Sequence, residues 1–115
     1  MGIFGDRCAN FAIENSDLII VLGSRLSIPQ IGYKTKKFAE GIKKIIVDID
    51  NNELNRKNLS NVILKINIDL EYFFQKAKKN LKIKNKNFSK WTNLINSWKI
   101  EYPVMLPKYL KERKY

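Results

Sequence analysis

The chain has 115 residues, 44% of them apolar, with a net charge of +11 and no histidine. That is room for one domain with an ordinary core, and the lack of histidine removes Ser-His and Cys-His nucleophilic catalysis and most zinc sites. Cys8 is the only cysteine, which excludes an internal disulfide or a thiolate cluster, and beside apolar neighbours it reads as packing.

Gly2 and Gly5 frame Ile3 and Phe4, with no strand before them. Asp6 suits a helix N-cap, and Cys8, Phe11, Ala12 and Ile13 share one face of a helix ending near Asn15. Residues 18–22 are then five consecutive apolar residues between Asp17 and Gly23. So short a run predicts a strand buried on both faces, as in a parallel sheet covered by helices on each side. Ligands of such sheets gather at the carboxyl ends of the strands. There, Gly23 permits close backbone approach and Arg25 supplies a fixed cation with bidentate geometry; a strand end followed by a surface charge fits the same residues.

Residues 24–32 read as a loop containing Pro29, and 33–40 as a short helix with Gly41 just past its end. A second strand over 44–50 ends in Asp48 and Asp50, again at the carboxyl edge, where an acid meets a ribose hydroxyl or a backbone amide in nucleotide-binding sheets. Residues 51–55 read as a turn or a single helical turn, and 61–66 as a third strand. Asp69 caps a helix to about Lys79 with Leu70, Phe73, Phe74 and Ala77 as its buried stripe.

Residues 79–87 have the Lys/Asn composition of a linker. A last helix over 88–100 places Trp91, Leu94, Ile95 and Trp98 at helical spacing, and Pro103 ends it. Residues 1–80 carry 13 Lys+Arg against 9 Asp+Glu, whereas 81–115 carry 9 against 2. That basic third, with its tryptophans, has the ingredients for nucleic-acid binding, but a solvated linker and an amphipathic helix account for it, so no nucleic acid is expected. No run approaches the roughly 18 apolar residues of a membrane span and no leader opens the chain, so a cytoplasmic protein without a membrane partner is expected.

Together these residues resemble the central domain of thiamine diphosphate-dependent enzymes of the acetolactate synthase type. The matching pieces are Gly2-Ile-Phe-Gly5 with Ala9-Asn10, Ser16-Asp17 entering the strand, Gly23-Ser-Arg25, Val47-Asp-Ile-Asp50 with Glu53, and Asp69 opening a helix. Trp91, Trp98-Lys99 and Tyr102-Pro103 are similar to the segment leading into the family's C-terminal, diphosphate-binding domain. Where FAD-binding members have an acid and a second arginine, this chain has Ser27 and Pro29, and the bulky Ile68 precedes Asp69.

The resemblance implies an α/β fold: a Rossmann-like parallel sheet with flanking helices, of the NAD/FAD-binding type, incomplete at its N-terminus. It implies that residues 1–80 are most of that domain, and 81–115 a linker and helix toward the next. Nucleotide contacts, to FAD or ADP, would be Gly2, Ile3, Phe4, Gly23, Ser24, Arg25, Asp48, Ile49 and Asp69. Thiamine diphosphate and Mg2+ would belong to the other domains of the parent, a homodimer or tetramer acting on 2-oxo acids. This piece alone is expected to be inactive, with no catalytic or metal-binding residue of its own. A free-standing FAD- or adenine-nucleotide-binding module is the alternative, ahead of a small basic nucleic-acid-binding protein.

Overall fold

The computed structural model describes residues 2, 5–56, 59–82 and 87–105. In chain order they form α1 (Arg7–Glu14), β1 (Leu18–Leu22), α2 (Ile28–Ile31), a 3-10 turn (Thr35–Lys37), β2 (Lys43–Asp48), α3 (Asn51–Arg56), β3 (Val62–Asn67), α4 (Leu70–Asn80) and α5 (Ser89–Glu101). The strands make one parallel sheet in the order β1-β2-β3. This is the α/β architecture expected.

Pairing in a parallel sheet sets partners on the same face, and neighbours along a strand on opposite faces. Ile19 and Val21 therefore share a face with Lys44, Ile46 and Asp48, through the pairs Ile19 with Lys44 and Val21 with Ile46. Over that face lie Leu26, Ile31, Leu54 and Leu59, which with Val21 and Ile46 make the buried core; Ile19, Phe38 and Val62 pack against it. The other face carries Leu18, Ile20 and Leu22, aligned with Lys43, Ile45 and Val47. Val47 is sealed there, yet Ile20 and Leu64 are 52% and 48% exposed. β1 is thus buried on one face only, which corrects the two-sided burial read from its apolar run. The described residues place their core on one side of the sheet and cover the other side only around Val47.

Two local differences from the sequence reading have chemical causes. The supposed loop 24–32 contains the single turn α2, because the Gln30 side chain accepts the Ser27 backbone N–H at 2.9 Å, as in a capping box, and Pro29 sits in the first turn, where no N–H is needed. The supposed helix 33–40 is only a 3-10 turn. Phe38 is extended, Ala39 has φ 46°, and the Ala39 carbonyl accepts the Ile42 N–H at 3.1 Å and the Lys44 ammonium at 2.7 Å. A turn tied to the buried lysine overrides helix propensity there. Burial pushes that ammonium below its ordinary pKa of 10.5.

α5 packs on α1. The Phe11 ring lies 5.8 Å from Trp98 and 5.2 Å from Tyr102, Trp98 meets Trp91 edge-on at 6.1 Å, and the Arg7 guanidinium sits 5.7 Å from the Tyr102 ring. Beneath them, the buried Cys8 thiol donates to the Ile95 carbonyl at 3.5 Å. The rings that would stack on bases are thus engaged within the chain.

Candidate functional site at the carboxyl edge of the sheet

Each strand is followed by a polar segment at the sheet's carboxyl edge. Gly23, Ser24 and Arg25 follow β1, Ile49 follows Asp48 at the end of β2, and Asp69 follows β3. The topology therefore gathers these sequence-read candidates at one edge. Gly2 stands apart, lining a cleft of about 390 Å3 with Asn10, Gln30, Gly32 and Lys37. Ile3 and Phe4 lie outside the described residues.

The side chains at this edge are largely committed to the backbone. Asp48 is buried, and its Oδ1 accepts the Asp50 N–H at 2.9 Å. Asp50 Oδ1 accepts the Asn52 N–H at 2.8 Å, opening α3. Asp69 Oδ1 accepts the N–H groups of Glu71 and Tyr72 at 2.8 and 3.3 Å, the ordinary work of an N-cap. Ser24 Oγ accepts the Leu26 N–H at 3.4 Å. Ile49 is 68% exposed, and its carbonyl is held by the Asn67 amide, which donates to it at 2.7 Å and to the Asp48 carbonyl at 3.0 Å. Sequence reading missed Asn67 as the brace between the second and third loops; a lone amide just past a strand was its only signal.

Arg25 is the exception. Its side chain is 80% exposed, with Nε 3.9 Å from the well-covered Glu53 carboxylate. At that distance and exposure the pair adds little stability, so the guanidinium stands at the edge as an accessible cation.

The two glycines of the reading are explained by left-handed backbone and close approach. Gly23 has φ 54°, and a Cβ there would stand 2.9 Å from Leu70 Cδ1. Gly2 exchanges hydrogen bonds with the Asn10 side chain at 2.9 and 3.1 Å, and a Cβ there would run into the Pro29 and Gln30 carbonyls. Gly23→Ala is accordingly expected to cost about 1–2 kcal/mol from the left-handed backbone alone, read as a lower urea midpoint. Because the Leu70 side chain can yield, Gly23→Ala should cost nearly as much in a Leu70→Ala background; no cost there would mean that the clash, and not the backbone, requires glycine.

Residues 1–76 match the family model described as thiamine pyrophosphate enzyme, central domain. The chain belongs to this family. Among its relatives, the acetolactate synthase large subunit of Cyanidium caldarium is 34% identical over 110 residues, covering 93% of this chain and 19% of the relative. Acetolactate synthase isozyme 1 large subunit of Escherichia coli K12 is 31% identical over 108 residues, covering 94% and 18%. The probable acetolactate synthase 2, chloroplastic, of Oryza sativa is 31% identical over 114 residues, covering 90% and 16%. The chain thus spans between about a sixth and a fifth of the length of these relatives, and the fold and the recognition drawn from the motifs hold.

The family is named for thiamine pyrophosphate, and a diphosphate brought in with a hard cation would need a cage of oxygen ligands. Among the described residues no group of three or more His, Cys, Asp or Glu is placed to hold a metal ion, and Asp48, Asp50 and Asp69 already accept backbone N–H groups. These residues do not fit that cofactor, and no chemical step is assigned to them. No described helix is long and apolar enough to cross a membrane.

Proposed function

We propose that this chain serves as the central-domain portion of an acetolactate synthase-like enzyme, in a structural role. In this reading the parent decarboxylates and joins 2-oxo acids, with thiamine diphosphate and Mg2+ in its other domains, as a cytoplasmic homodimer or tetramer. Residues 1–80 are then domain core, and 81–115 lead toward the next domain. The observation that carries the structural role is the commitment of Asp48 and Asp69, both candidate nucleotide ligands, to the backbone of their own loops. The motif match supports the family assignment but not a bound nucleotide.

A second reading, an adenine nucleotide or FAD at the carboxyl edge, is favoured by one observation, the accessible Arg25 guanidinium beside Gly23. Denaturing the purified chain and analysing the released small molecules separates the two. The structural reading expects no flavin absorbance and no nucleotide in the supernatant. Stoichiometric FAD or ADP would overturn it and restore Gly23, Ser24, Arg25 and Asp48 as contacts.

A further inference from the structure

The opposite, amino edge of the sheet holds a different feature. Lys44 is fully buried, one of the two largest side chains with essentially no exposure. Its Nζ donates to three main-chain carbonyls: Ala39 at 2.7 Å, Ile42 at 3.0 Å and Ser60 at 3.0 Å. An ammonium has three protons and accepts nothing, so three carbonyls saturate it. No salt bridge among the described residues reaches it, and among these residues its charge is met by carbonyl dipoles.

Those carbonyls come from two separate connections, the one before β2 and the one before β3. The backbone is bent to deliver them. Of the three described non-glycine residues with positive φ, two are here: Ala39 at 46°, which gives its own carbonyl, and Asn61 at 55°, which follows Ser60. Left-handed backbone is costly for L residues and persists where surrounding structure enforces it. Carbonyl oxygens converging on one point are the means by which proteins replace the hydration shell of a monovalent cation.

We propose that the Ala39, Ile42 and Ser60 carbonyls form a monovalent-cation socket, filled from within by the Lys44 ammonium, which locks the two connections at the amino edge. Cut back to alanine, the position retains the socket and lacks three carbons and an ammonium, the composition of propylammonium. The side chain acts as a tethered cation, and an external alkylammonium of the right length takes its place.

The test is thermal unfolding of the full chain, Lys44→Met and Lys44→Ala, each in sodium, propylammonium and tetramethylammonium chloride at equal ionic strength. Both variants should lose Tm in sodium. Lys44→Ala should regain about half of the loss in propylammonium, as a ligand binding only the folded state does by mass action. It should regain none in tetramethylammonium, which has no N–H to donate. Wild type and Lys44→Met, whose channel is filled, should not distinguish the salts. If Lys44→Ala shows no folded baseline in sodium, propylammonium should restore its circular dichroism. Wild-type Tm in Lys44→Met, no recovery of Lys44→Ala, or equal recovery in tetramethylammonium would each overturn the socket.

Discussion

The chain is expected to self-associate, and to do so more strongly as salt is raised. Among the described residues β1 is hydrogen-bonded only to β2, so within them one of its edges is an unpaired row of backbone donors and acceptors, a template for another strand. Beside that edge the open face of the sheet presents Leu18, Ile20 and Leu64, each between 39% and 52% exposed. Opposing association is the net charge of +11, whose long-range repulsion is screened beyond about 10 Å at 0.1 M salt. Low salt therefore keeps copies apart, and high salt lets the apolar face decide. Ile20 is 52% exposed, so covering the rest of it is worth about half of the 1.5–3 kcal/mol of a whole isoleucine, or roughly 1.5–3 kcal/mol over the two copies that meet. Ile20→Lys should then raise the midpoint concentration of association by about tenfold or more, since each 1.4 kcal/mol is a factor of ten. Sedimentation velocity in low and high salt reads this directly. A strictly monomeric wild-type chain in both, with a cooperative unfolding transition, would remove the argument from edge and face together.

What the sequence disclosed follows from the range of each signal. The strands were legible because their apolar runs are short and bounded by polar residues, and Asp6 and Asp69 were legible as caps because an N-cap acts within three residues. The Asp6 carboxylate accepts the Ala9 N–H at 2.7 Å, as that spacing requires. α2 lay within reach too, since Ser27 and Gln30 stand three apart as a capping box does. By contrast, the failed helix over 33–40 goes with a Lys44 ammonium held by the Ala39 carbonyl five residues before it and by the Ser60 carbonyl of the next connection, a partner that no local window contains. β1 was misread because an apolar run reports what a residue is and not what covers it.

The candidate site was legible as a place but not as chemistry. Parallel topology alone brings Gly23, Arg25, Asp48 and Asp69 to the carboxyl edge. Which carboxylate oxygens were already spoken for by backbone N–H groups became visible only in three dimensions. Lys44 gave no signal at all, because a lysine at the start of a strand in a lysine-rich chain reads as a surface charge.

Removing one ring, that of Phe11, should release α5. The sequence spaced Trp91, Ile95 and Trp98 along one face but could not name what they meet; the answer is α1. Phe11 touches both Trp98 and Tyr102, so Phe11→Ala removes the hub of the cluster while leaving Cys8 and the sheet core in place. Truncating a buried phenylalanine costs about 3–5 kcal/mol, and this one is half buried, so about 2 kcal/mol is expected locally. That is enough to matter for α5, which has 13 residues and only the Asn87 side chain, accepting the Ser89 N–H at 2.9 Å, to cap its start; an isolated helix of that length is marginal in water. Undocking therefore also means unwinding. Tryptophan emission should shift to the red, acrylamide should quench it more efficiently, and far-ultraviolet dichroism should lose about one helix of this length. Leu94, on the same helix but 42% exposed, is the control, and Leu94→Ala should change none of these signals. If Phe11→Ala keeps the wild-type emission and dichroism, contacts other than the ring cluster hold α5.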